Sequence, residues 1–362
     1  MPDLLLSLAW RGPLALIIAA AAAWGGLALW FRGPDTLAAT LILVIGWSLL
    51  GLAVLASLCV PGHAAARLWA LAVFALTFAG VFVWWSTITP RQDKNWAPDV
   101  ARLLDARITG DIVTLDNVRN FAWHSSREDF TARWESRQYD LSQLTSVDLV
   151  VSYWMGPKIA HTLVSFGFAD GRYLVFSVEV RRTRGQQFSP IADFFKESEL
   201  VLVAADERDI VRTRSNVRGE QVYLYRVAMP AAERRSLFAA YVDEAQQLQR
   251  RPRFYNTLTS NCTTIVYDMV KRIVPGLPWD VRLILSGYLP DYIYDLGALD
   301  TRRPFAELHR LGYINDRALA SDVNGHASED FSQAIRRGVP DPQNPPGASH
   351  ETGADTPHPD RP

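Results

Sequence analysis

Three long apolar runs open the chain, Leu14 to Phe31, Leu37 to Val60 and Leu68 to Ile88. Each is close to the ~20 residues an α-helix needs to cross a hydrocarbon core. The breaks between them, Arg32-Gly33-Pro34-Asp35 and Pro61-Gly62-His63 with Arg67, carry the turn and charge signals that join spans. Trp84-Trp85 closes the third run with side chains suited to a membrane interface. The other reading of the first run is a cleaved signal peptide with Ala21-Ala22-Ala23 as its small-residue site. Two further spans follow it directly, and Asp3 stands where a basic cluster would be, so a three-helix transmembrane anchor over 1–90 is preferred. Positive charges leave the orientation near balance. With the N-terminus inside, Arg11 and Arg67 are cytoplasmic and Arg32, Arg91 and Lys94 outside, slightly against the positive-inside rule.

Beyond residue 90 the pattern changes. The spacing predicts a short helix over Asp99 to Thr109, and a turn followed by helix or strand over Ser142 to Val151. Ala160 to Phe168 and Arg172 to Arg181 are strand-like runs joined by Ala169-Asp170-Gly171, a sequence suited to a hairpin turn with glycine in the left-handed position. Leu200 to Ala204 and Gln221 to Val227 read as further strands. Leu237, Ala240, Tyr241, Ala245 and Leu248 recur at helical spacing within Ala231 to Arg250. An α+β domain over 96–337 results, with no internal repeat. From Gly338 onward seven prolines stand among Gly, Ser, Asp and His, a composition that buries too little to order itself, so 338–362 reads as a disordered tail.

Charge sharpens the division. Of 37 Lys and Arg and 38 Asp and Glu side chains in 362 residues, only Asp3, Arg11, Arg32, Asp35 and Arg67 fall in the first ninety. A net charge of −1 without basic blocks removes the electrostatic term that nucleic-acid binding depends on. Two cysteines, Cys59 and Cys262, exclude a disulfide framework and a four-cysteine zinc site. The sequence carries no HExxH, P-loop, GxGxxG or GxSxG pattern, and calls for no metal and no cofactor.

Cys262 is the residue with the most chemistry to offer. Thr259-Ser260-Asn261-Cys262-Thr263-Thr264 leads into an apolar stripe of Ile265, Val266, Met269, Val270 and Ile273, and Pro275-Gly276 ends it. Asn261 or Ser260 is an N-cap type, which places Cys262 in the first helical turn. There, unpaired N–H groups and the positive end of the helix dipole favour a thiolate. Taken alone, the cysteine is better read as a small buried apolar side chain. A nucleophile needs a base, and of His124, His161 and His309 only His161 starts a well-marked strand. A three-residue hairpin loop puts His161 opposite Glu179, completing a Cys–His–acid set. A two-residue turn would put Val180 there instead, leaving Glu179 a surface carboxylate beside Arg181 or Arg182.

Several blocks together resemble a known family. They are Arg133-Trp134-Glu135 with Tyr139-Asp140-Leu141, Ser152-Tyr153-Trp154-Met155-Gly156-Pro157, His161 through Phe168, Phe176 through Arg182, Ala205-Asp206-Glu207-Arg208-Asp209, and Phe254 through Thr264. Over roughly 115–337 they are similar to the N-terminal periplasmic domain of the bacterial lipoprotein N-acyltransferases called Lnb. The resemblance implies a papain-like fold of the NlpC/P60 superfamily in permuted form, the histidine strand preceding the cysteine helix, with Cys262 as nucleophile and His161 as base. Glu179 as orienting group is the hairpin's inference. In Lnb the spans follow the periplasmic domain, whereas here three precede it.

The expectation is an inner-membrane cysteine acyltransferase facing the periplasm. It moves an acyl chain from membrane phospholipid through a Cys262 thioester to an amine such as a lipoprotein N-terminus. Asn261 and Tyr255 are candidate oxyanion or substrate contacts, and Arg181 and Arg182 a candidate phosphate contact or a solvated pair. A membrane-tethered cysteine hydrolase shares the same thioester, and a non-catalytic binding module would use Cys262 only for packing.

Overall fold

In the computed structural model, the three apolar runs are helices α1 (Pro2–Arg32), α2 (Leu37–Cys59) and α3 (Ala64–Thr87). The structure describes residues 2–60, 62–124, 126, 129–323, 326–328 and 330–343. Trp10–Arg32, Leu37–Cys59 and Ala64–Thr87 are long and apolar enough to cross a membrane. An indole N–H among apolar helices must find an acceptor. Trp47 Nε1 donates to the Ala22 carbonyl at 2.7 Å while its ring stacks on Phe74 at 5.2 Å. Gly25 permits that approach, since a Cβ there would lie 2.6 Å from the indole.

The chain divides into two units. The first comprises Met1–Ala97, Val180–Leu200 and Arg251–Ser260, and the second Pro98–Glu179, Val201–Arg250 and Asn261–Pro362. Within the first, Lys196 sends Nζ to the carbonyls of Trp85 (2.9 Å) and Ile88 (3.2 Å). A cation is thereby placed at the C-terminal end of α3, where the helix dipole is negative.

The soluble part is built on an eight-stranded mixed sheet: β1 (Asp105–Thr109), β2 (Ile112–Arg119), β3 (Trp134–Asp140), β4 (Leu144–Tyr153), β5 (Ala160–Phe168), β6 (Tyr173–Arg181), β7 (Glu199–Ala205) and β8 (Gln221–Arg226). Their order is β1-β2-β7-β6-β5-β4-β8, with β3 paired to β2 outside that path. The β2–β7 pair is parallel, whereas the β1–β2, β2–β3, β4–β5, β5–β6 and β4–β8 pairs are antiparallel.

The helix expected over Asp99 to Thr109 is not formed. Only Pro98–Val100 turns as a short 3₁₀ segment, and Asp105–Thr109 is a strand. Gly110, at φ +62°, supplies the left-handed residue that folds β1 back on β2, and the five pairs of that ladder outweigh local helical spacing. Ser142 to Val151 resolves into a single turn, Leu141–Gln143, and strand β4.

Helix α4 (Ala231–Arg250) covers one sheet face: of the stripe its spacing predicted, Leu237, Tyr241, Ala245 and Leu248 are buried and Ala240 is half-buried, and Phe238 and Val242 join the buried side. Tyr241 stacks on Phe176 at 4.6 Å, and Phe238 meets Phe166 edge-on at 5.0 Å. Helix α5 (Thr264–Ile273) follows it in sequence. Gly338–Gln343, assigned to the tail, is instead held down. Asp341 pairs with Arg226 at 3.1 Å, and Gln343 donates to the Met229 carbonyl at 3.0 Å. Residues 344–362, including His350 and His358, lie outside the described residues.

Candidate active site

Strand β5 is buried along its whole length, and its second residue is His161. The loop to β6 is closed by hydrogen bonds from the Phe168 amide to the Arg172 carbonyl and from the Gly171 amide to the Phe168 carbonyl, each 3.0 Å, with Gly171 at φ +82°. This is the three-residue loop. The ladder runs from Gly167–Tyr173 to Leu163–Ser177, a register that carries on to His161 and Glu179.

Past Leu163 and Ser177 the ladder stops, and the side chains close the gap instead. His161 Nε2 lies 3.2 Å from Glu179 Oε1. Ser177 Oγ stands between them, 2.7 Å from Nε2 and donating to Glu179 Oε1 at 2.7 Å. The same carboxylate oxygen accepts a 2.7 Å bond from Arg214 Nη2. With Nε2 so engaged, Nδ1 is the ring nitrogen left for the Cys262 sulfur.

Neither Ser177 nor Arg214 was singled out from sequence. Ser177 shares Glu179's strand face, two residues away, which is the signal that would have found it. Arg214 comes from a π-helical turn, Thr213–Val217, that follows Glu207–Arg212. It lies far from Glu179 in sequence, and only the fold joins them.

Cys262 is 6% exposed and sits just ahead of α5. The sequence expectation placed it in the first turn with free N–H groups, but Asn261 has taken those. Its Oδ1 accepts from the Thr263 amide at 2.8 Å and the Thr264 amide at 2.9 Å. Asn261 is thus the cap, and its carboxamide oxygen is committed to the helix start. The sulfur finds other partners: the Thr162 amide, which lies one residue beyond the last β5–β6 pair, the Thr263 hydroxyl and His161.

The electrostatics favour an ion pair. Burial pushes the Cys262 thiol up, but the charge and hydrogen bond of His161, with the Thr162 amide and Thr263 hydroxyl, outweigh it and bring the thiol below its ordinary value. Burial and the neighbouring Arg214 push His161 down, yet Glu179 and Cys262 overcome both and hold it raised to about 9. Glu179 is buried too, and despite that burial His161 and Arg214 keep it ionised, well below the usual carboxylate range. Cys262, His161 and Glu179 therefore stand in a row, each shifted by its neighbours toward its charged form.

Tyr255 is buried in the first unit, its amide bonded to the Ser198 carbonyl at 3.0 Å. Arg181 is 5% exposed with its guanidinium 4.3 Å from the centre of the Trp96 ring, so it is neither a solvated residue nor an open phosphate contact. His309 accepts or donates a 2.7 Å bond with the Tyr225 hydroxyl and stacks on Tyr223 at 4.1 Å. Among the described residues no three His, Cys, Asp or Glu side chains converge as a metal set would.

Residues 130–287 match the family model of the Lnb N-terminal periplasmic domain. The match is shorter at both ends than the 115–337 over which the motifs resemble that family, and it contains His161, Ser177, Glu179, Arg214 and Cys262. No curated protein and no solved structure matches the chain. The domain match and the three apolar helices fit a membrane protein of the Lnb type that carries a periplasmic domain.

Proposed function

We propose that the Lnb-type domain of this chain is a thiol-dependent acyltransferase of the bacterial inner membrane. It takes an acyl chain from phospholipid and passes it to an amine such as a lipoprotein N-terminus. The observation that carries the reading is the buried Cys262–His161–Glu179 row, in which the thiol is drawn below its ordinary value beside a proton donor. Chain order supports a permuted NlpC/P60 arrangement, since the strand with His161 and the strand with Glu179 precede the helix that Cys262 introduces.

In the first half-reaction the Cys262 thiolate adds to the carbonyl carbon of a phospholipid ester. The C–O bond breaks, and the His161 imidazolium gives its proton to the departing alkoxide, leaving a lysophospholipid and a Cys262 thioester. In the second, an amine adds to the thioester carbonyl, His161 takes the nitrogen's proton, and the C–S bond breaks to release an amide and restore the ion pair. Glu179 and Ser177 touch neither acyl donor nor acceptor. They orient the ring and stabilise its charge, and Arg214 keeps Glu179 ionised. The Cys262 amide is the oxyanion donor in this scheme, because Asn261 already occupies the Thr263 and Thr264 amides. Three membrane-capable helices on the same chain suit a substrate that resides in a bilayer.

The test is the purified full chain in phospholipid vesicles with an amine-terminated lipopeptide. Transfer of a labelled acyl chain to the peptide, absent for Cys262→Ala and for His161→Ala, is the expected result. Release of free fatty acid alone, with the peptide unmodified, would make water the acceptor and the protein a hydrolase. Full complementation of a cellular function by Cys262→Ala would remove both catalytic readings.

A further inference from the structure

An apolar cavity of about 300 Å³ lies within the second unit, between the sheet and helices α4 and α5, in the range ligand pockets occupy. Its floor includes Leu149 of β4 and Val164 of β5, paired across the ladder, and its walls include Leu237 of α4 with Val266 and Val270 of α5. Two acidic side chains also border it. Asp148 is fully buried and tied to Arg336 at 2.7 Å, and Glu233 is half-buried.

The cavity's position relative to the nucleophile gives it a use. Thr263 forms part of its lining, and the Thr263 hydroxyl lies 4.0 Å from Cys262 Sγ. The Thr263 hydroxyl also meets the Thr162 hydroxyl at 3.3 Å, and the Thr162 amide is a hydrogen-bond donor to that sulfur. Thr162 and Val164 lie two apart on β5 and share a face, so the sheet surface leads from the sulfur past the threonine pair to the cavity floor. Thr263, just ahead of α5, and Val266 and Val270 on it form one stripe at helical spacing that leads the same way.

We propose that this cavity is the acyl-chain pocket of the enzyme, entered over the Thr162–Thr263 pair, so that the chain esterified to Cys262 lies beneath α5. The inference rests on the acyltransfer reading for its ligand but on the cavity for its place. A saturated hydrocarbon chain is the occupant its walls fit. Of the two charged side chains in its lining, Asp148 is already neutralised by Arg336, and Glu233 stands half-buried at its border. The pocket also makes a statement about specificity, because its far end sets the length of chain that can be accommodated.

The experiment uses full-length Cys262→Ser protein, which cannot acylate through the thiol, with a photoactivatable palmitate analogue and peptide mapping of the crosslinks. Labelling of residues 263–274, competed by unlabelled palmitate, is expected. Val270→Trp, which fills the cavity, weakens that labelling by about tenfold or more, since each excluded methylene removes favourable burial. Asp268→Trp, on the exposed side of the same helix, leaves it unchanged. Circular dichroism establishes that both variants are folded, and Leu237→Phe serves if Val270→Trp is not. Label confined to the transmembrane helices, in protein whose wild type still forms a Cys262 thioester, would overturn the pocket and leave the activity standing. Label in the cavity with no thioester formed by the wild type would do the reverse.

Discussion

Replacing Glu179 by Gln removes a charge while keeping the shape, and the structure sets how far the ion pair should shift. Glu179 Oε1 faces His161 Nε2 at 3.2 Å and Arg214 Nη2 at 2.7 Å. A hydrogen bond to a charged group contributes ~1.5–3 kcal/mol, so losing the share that stabilises the imidazolium lowers its pKa by ~1–2 units at ~1.4 kcal/mol per unit. Arg214, left with only Glu220 at 3.6 Å among the described residues, pushes in the same direction. His161 then falls from about 9 toward neutrality, and the thiolate loses the partner that holds it below its ordinary value. The assay is the pH dependence of iodoacetamide alkylation of Cys262, in full-length detergent-solubilised protein with Cys59→Ser so that one thiol remains. The midpoint for alkylation should rise by ~1–2 pH units in Glu179→Gln. Ser177→Ala, which removes the bridging hydroxyl but no charge, should move it the same way by roughly half as much. If both variants are folded and neither midpoint moves, Glu179 does not sustain the pair and the electrostatic argument is wrong.

Four further outcomes follow from the structure. Thioester formation should be greatest while thiolate and imidazolium coexist and should fall as pH rises through about 9, where His161 loses its proton; stopped-flow acylation across pH 6 to 10 measures it. The sign for stability agrees. His161 is raised above its ordinary 6.5, so its contribution is full below that value and fades as pH rises through about 9, which urea titrations at several pH values will register. Arg336 holds two fully buried carboxylates, Asp148 at 2.7 Å and Glu207 at 2.6 Å, so Arg336→Met should destabilise the soluble unit by ~3–5 kcal/mol, read as a lower urea midpoint. Asn261→Ala should cost ~1 kcal/mol through the lost cap while Asn261→Asp retains most of it, and equal stability of all three proteins would deny the cap.

The parts of the site that were legible in the sequence depended on local rules. Ala169-Asp170-Gly171 fixes a loop length, the loop length fixes a register, and the register puts His161 beside Glu179 across nine residues of strand. Asn261 reads as a cap because its side chain bonds backbone two and three residues ahead. Arg214 obeys no such rule. It reaches Glu179 from a π turn, and the sequence around it, Thr213 to Val217, has no periodicity that points to a carboxylate. Strand β1 was misread because its Asp, Arg and Thr alternate at an edge with one buried residue, Ala106, which gives little contrast between faces.

The block Ala205-Asp206-Glu207-Arg208-Asp209, one of those that carry the resemblance, is structural. Asp209 accepts from Arg119, the Phe121 amide and Trp123 Nε1, and Glu207 meets Arg336 and Ser165. Buried carboxylates with that many donors fix how strands and helices meet, and a single sequence does not distinguish them from catalytic ones.

The central claim is that the Cys262 sulfur carries an acyl chain. Intact-mass and peptide mass spectrometry of the full-length protein after incubation with a phospholipid of defined chain length tests it most directly. The account predicts a mass gain of that one acyl group on the peptide containing Cys262, removed by hydroxylamine and absent from Cys262→Ala and His161→Ala. An unmodified Cys262 in protein that nevertheless transfers acyl chains, or an adduct that persists in His161→Ala, would contradict it.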